Sequence, residues 1–266
     1  MNITDRTVIT QIITAFESTG IKPPKPLAEA LARAGKLDNA ARSLGASDAG
    51  ALGVAVTAAL DDGRDPAADP EVQRLLAARA VASDYNLADQ VTGAANEQVR
   101  EVCHAHADPI VRAWRKPFDQ AAATLTAARS RIGSVPLDDS ATILRQGGDV
   151  ASVWASARDA VATIDTIAAG WSALGSFTRL VQPTTRHRML RIAEVSYDQW
   201  TEHRLADAKA DPWTAVLAGL TLSLPTFAQH RARVAAIEQA EREPVTVIDT
   251  ERSSVAGREI RVPAPH

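Results

Sequence analysis

The 266 residues contain a single cysteine, Cys103, so an intrachain disulfide is excluded and a reducing compartment is the simpler expectation. Aromatic side chains make up only 4% of the chain. The core must therefore come from aliphatic residues and close alanine contacts, which suits tightly packed helices better than deep ligand pockets. There is no basic excess: the formal net charge is −3 and the pI about 6.1. That balance argues against a large cationic face for duplex DNA, though not against a local patch. The longest apolar stretches, 49–60 and 216–224, fall short of the ~20 residues that span a bilayer. Residues 1–10 carry no cationic stretch leading into an apolar run, so no signal peptide is expected. These absences together predict a soluble protein with no membrane partner, cytoplasmic or, if of phage origin, in the virion.

Alanine is abundant, which raises helix propensity throughout. Val8, Ile9, Ile12, Ile13 and Phe16 predict a first helix, with Asn2 or Thr4 as cap and Gly20 as stop. Short helices are expected over 27–34, ended by Gly35, over 37–44, and from Ser47 or Asp48 to about Leu60. Asp61–Asp69 holds Asp-Asp-Gly and two Asp-Pro pairs and is the strongest boundary signal. Asp69-Pro70-Glu71 then starts a helix with a capping carboxylate and a proline in the first turn. Helical spacing continues to about Ile132, and Asp108-Pro109 and Lys116-Pro117 each predict a kink or break. After the turn at Gly133–Pro136, a helix from Asp139 or Ser140 to Val181, weakened at Gly147-Gly148, carries the clearest pattern. Ile143, Val150, Trp154, Ala157, Val161, Ile164, Ala168, Trp171 and Gly175 are spaced by threes and fours, mostly in a heptad-like rhythm. Val150, Trp154, Val161, Ile164 and Trp171 are expected to face a partner, either the preceding helix or another copy of the chain. Beyond it, 186–208 is expected to be helical, Asp211-Pro212 restarts a helix, and a polar helix follows Pro225 to about Glu243. Two-residue alternation at Val245, Val247, Ile260 and Val262 predicts a terminal β-hairpin.

Residue types that carry chemistry are few. Cys103, His104, His106 and Asp108 are the only cluster of metal-ligand types. On a helix, His104 and Asp108 share one face and Cys103 and His106 another, so the pairs diverge and no metal site is expected. Arg179, Arg186, His187, Arg188 and Arg191 form the densest basic cluster, a candidate for anion or nucleic-acid backbone binding at a helix start. The plainer alternative is a solvated face paired with Glu194 or Asp198. Residues 40–47 resemble the first helix and turn of helix-turn-helix DNA readers. The segment that would read bases, 48–60, is too apolar to do so and is expected to pack as a small core instead. No Gly-rich phosphate loop, Gly-x-Ser-x-Gly elbow or His-Glu-x-x-His stands in the sequence, so no catalytic residue and no cofactor are expected.

The sequence thus predicts an all-α protein in three parts. Residues 1–62 form a small helical subdomain, 69–243 an elongated bundle built on a long antiparallel hairpin, and 244–266 a β-hairpin and tail. The function expected of it is structural or assembly work through a protein partner or a homo-oligomer. A scarcity of lysine beside arginine and alanine suggests a GC-rich genome, and with it an actinobacterial or phage particle component. A nucleic-acid-associated protein using the Arg179–Arg191 cluster is the alternative; an enzyme of unfamiliar helical type is the second.

Overall fold

The computed structural model describes residues 3–45, 49–83, 85–182, 184–205 and 211–242. Among them are eleven α-helices, one short 3-10 turn and a two-stranded antiparallel sheet. The fold is all-α, as the composition predicts. The helices are α1 (Ile3–Thr19), α2 (Lys25–Gly45), α3 (Ala49–Asp61), α4 (Pro70–Ser83), α5 (Tyr85–Ala105), α6 (Ala107–Ile132), α7 (Ser140–Arg145), α8 (Gly148–Phe177), α9 (Tyr197–Glu202), α10 (Pro212–Leu217) and α11 (Phe227–Arg242). The residues of the expected terminal hairpin, Val245 to Val262, lie outside those described. The observed strands are instead β1 (Ala193–Glu194) and β2 (Thr221–Leu222), with Ala193 opposite Leu222.

Local signals place five of the helix starts. Asp69 Oδ1 accepts from the N–H groups of Glu71 (2.9 Å) and Val72 (3.2 Å), and Pro70 occupies the first turn of α4. Asp139 caps α7 through Thr142 N–H, and Asp211 caps α10 through Thr214 N–H ahead of Pro212. Capping boxes open α9, between Ser196 and Gln199, and α11, between Thr226 and Gln229. Gly20 leaves α1 at φ 66°.

Helix extent differs from expectation at four places. Gly35 does not stop a helix: α2 runs through it, because one glycine costs only about 1 kcal/mol against alanine and the flanking turns are good helix formers. Pro117 lies inside α6. Its cost of about 3 kcal/mol is outweighed by the fully buried Ile110, Val111, Trp114, Phe118 and Leu125 of the same helix, each contributing roughly 1.5–3 kcal/mol. The break falls at His106 instead, and Pro109 sits in the first turn of α6, where its missing N–H has no partner to lose. The expected helix over 186–208 is not formed among its described residues, 186–205: Met189–Arg191 is a single 3-10 turn followed by β1 and the short α9. The expected helix from Ser140 is also interrupted, at Gly147, whose φ of 104° suits glycine and separates α7 from α8.

Backbone contacts group the chain into two compact units. The first holds residues 1–118 and 165–182; the second holds 119–164 and 183–266. The Asp61–Asp69 turn therefore lies within the first unit. α6 and α8 each contribute residues to both units. In the first unit α1, α6 and α8 converge: Phe16 and Trp114 rings are 5.0 Å apart, and Gly170 sits against Ala15 and Trp114. α2 packs along α5 and α4, and α4 packs against α3. In the second unit Trp154 Nε1 donates to Leu137 O (2.8 Å), Trp213 Nε1 to Val135 O (3.0 Å) and Arg129 to Val216 O (2.8 Å).

On α8 the fully covered line is Ala157, Ile164, Ile167, Trp171 and Leu174. Ile164 and Trp171 of the expected stripe are on it; Val150, Trp154 and Val161 are half-buried beside it. Trp154 is flanked by Arg158, whose guanidinium carbon lies 5.1 Å from the ring centre.

Candidate functional site

α3 is the helix whose chemistry and surroundings disagree most. From Ala49 to Leu60 it carries no charged side chain; Asp61 is its last residue. Ala59 is buried and Leu52, Ala55 and Val56 are half-covered, so one face packs against the rest of the first unit. The opposite face holds Gly53, Val54, Thr57 and Ala58, with Leu60 at its edge. Val54 is 71% exposed and Leu60 60% exposed. Leu76, on the α4 helix that α3 packs against, is 48% exposed. The expectation that 48–60 forms a buried core is therefore corrected: half of this helix is packed, and the other half is an uncharged surface. The resemblance at 40–47 to a helix-turn-helix has its turn, 46–48, outside the described residues.

The Cys103 cluster does not converge. Cys103 is fully buried in the core and burial alone pushes its thiol up to about 12, so it is neither thiolate nor ligand near neutral pH. His104 and Asp108 are exposed and His106 is half-exposed. Among the described residues no three His, Cys, Asp or Glu side chains come together to hold a metal ion. His104 instead joins Glu97, Arg100 and Glu101, which its helical spacing puts on one face of α5, and Thr178 and Arg179 at the end of α8, around an open pocket of about 300 Å³ in the first unit. Arg100 pairs with Glu97 there, and the Thr178 hydroxyl donates to Leu174 O (2.6 Å). The pocket is an open groove lined by the Arg100–Glu97 ion pair and by the buried Thr178 hydroxyl.

The basic cluster is divided. Arg179 belongs to the first unit, where it takes a left-handed conformation (φ 57°) as the chain leaves α8 and Val181 N–H donates back to Gly175 O (3.3 Å). Arg186, His187, Arg188 and Arg191 belong to the second unit. Arg186 pairs with Glu241 of α11, Arg191 donates to Thr184 O (2.7 Å), and His187 is buried with its Nδ1 3.1 Å from Thr184 Oγ1. Because 186–191 is not an α-helix, the helix start that would have added a favourable dipole for an anion is missing.

No helix among the described residues is long and apolar enough to cross a membrane. No family model, curated protein or solved structure matches the chain.

Proposed function

We propose that the chain is a non-enzymatic assembly protein that works as a homo-oligomer, with the outer face of α3 packed against α3 of a second copy. The observation that carries this reading is the exposure of Val54 and Leu60 on a helix without charge up to its final residue. Solvated helix faces are ordinarily charged or polar, and an apolar face left in water marks a contact surface. A second copy suits it because an uncharged helix meets its own twin with no like-charge repulsion, and most soluble oligomers are homo-oligomers. Gly53, Thr57 and Ala58 keep the face small, which lets two backbones approach closely. Among the described residues no three His, Cys, Asp or Glu side chains converge, so a metal-dependent enzymatic reading has no ligand group to build on.

Cysteine cross-linking tests it. Cys103 is buried, so new thiols report alone. Val54→Cys and Thr57→Cys chains should each form a covalent dimer under mild oxidation or with a short bismaleimide. Absence of cross-linked dimer at both positions, at a concentration where the parent chain associates, would refute the α3 contact.

A further inference from the structure

The second unit buries two histidines beneath a group of arginines. His187 is 8% exposed and His230, on α11, is 4% exposed. His187 Nε2 is buried with no hydrogen-bond partner among the described residues. Its ring lies 6.0 Å from that of Trp200 on α9. His230 Nδ1 is 3.5 Å from Leu190 O in the 3-10 turn. These rings thus sit where α11 packs against the 3-10 turn and α9. The charged groups around them come from the segment around the 3-10 turn, from β1 and from α11, while α9 contributes the Trp200 ring. Arg186, Arg188 and Arg191 come from the segment around the 3-10 turn, and Glu194 from β1. Arg233, Glu238 and Glu241 come from α11. Several are committed elsewhere: Arg186 and the Trp200 indole both engage Glu241, and Arg233 engages Glu194.

We propose that this layer is an acid-sensitive latch: below neutral pH His187 and His230 each take a proton from solvent, and α11 parts from the 3-10 turn and α9. Protonation puts a second donor on each ring. At His187 that charged N–H would have no acceptor in the folded state, and an unsatisfied buried cation is strongly disfavoured. The two imidazolium charges would also oppose each other and the cations Arg191 and Arg233. Glu238 and Glu241 oppose this at His187 only. Burial, and then neighbouring arginine charge, holds both rings below the usual histidine range, His230 at about 4. The sign follows. With folded values below the unfolded 6.5, the unfolded state binds more protons. Stability is complete above pH 6.5 and is lost as pH falls toward about 4.

Hydrogen exchange of the full chain, corrected for the intrinsic pH dependence of exchange, tests the latch. Amides of α9 and α11 should lose at least about tenfold of their protection between pH 7 and pH 4.5, the change expected from one unit of pKa separation, while those of α6 keep theirs. A His187→Gln/His230→Gln chain should hold its protection constant across that range. Unchanged α11 protection down to pH 4.5, or the same loss in the double variant, overturns the proposal. If the double variant does not fold, imidazole proton resonances of the parent chain decide. Two rings that stay neutral until the opening transition support the latch, and titration of all six histidines near 6.5 in the intact fold overturns it.

Discussion

Gly170 shows how much a single hydrogen atom decides in this protein. A Cβ there would come 2.5 Å from Ala15 Cβ and 3.4 Å from both Trp114 and the Gln11 carbonyl. Ala15 is itself fully buried, and its Cβ cannot swing aside as a flexible side-chain end would. Gly170→Ala should therefore destabilise the fold by about 1–3 kcal/mol, as overpacking does, and urea unfolding of the variant measures it. The approach of α1 explains a glycine at this position. Cys103 makes the opposite point, since its lone occurrence invites a chemical role. Burial holds its thiol at about 12, so the native chain should resist a thiol reagent at pH 8 and react stoichiometrically once unfolded. Rapid labelling of the native chain would contradict the buried placement.

Among elements, those whose signal is local were legible in sequence, and those set by distant contacts were not. α1, α4, α10 and α11 were readable because Asp, Pro and Gly punctuate them within a turn, independently of the rest of the fold. The 186–208 segment misled because Leu190, Tyr197 and Trp200 keep a helical rhythm while their burial comes from separate elements. What holds this segment is Arg233 of α11, whose guanidinium donates to Leu190 O (3.1 Å), Ala193 O (3.0 Å) and Ser223 O (3.4 Å), joining the 3-10 turn, β1 and the chain after β2. No sequence pattern announces an arginine used in this way. Arg233→Lys keeps the charge and loses the planar fork. Several charge-assisted hydrogen bonds at about 1.5–3 kcal/mol each would be weakened together, so α11 should lose hydrogen-exchange protection well before α6 does. Equal protection in the variant would show that the clamp is dispensable. The candidate sites divide in the same manner. The Cys103–Asp108 ligand types and the Arg179–Arg191 basic cluster are neighbours in sequence, but the fold sends Cys103 inward and assigns Arg179 to a different unit from Arg186.

At the scale of the chain, the covered line of α8 runs through Ala157, Ile164, Ile167, Trp171 and Leu174, of which the three-and-four spacing names Ala157, Ile164 and Trp171. That line is satisfied within the chain. The face left over is on α3, where sequence alone suggested core, because apolar composition does not distinguish a helix covered by its own chain from one covered by another. Oligomerisation is thus the scale at which the account is most exposed. The decisive measurement is mass in solution by light scattering, on the full chain and on a Val54→Asp/Leu60→Asp variant with matched helix content. The account predicts an integral multiple of 28.2 kDa for the parent chain and 28.2 kDa for the variant. A parent chain that stays at the single-chain mass across the accessible concentration range would contradict it.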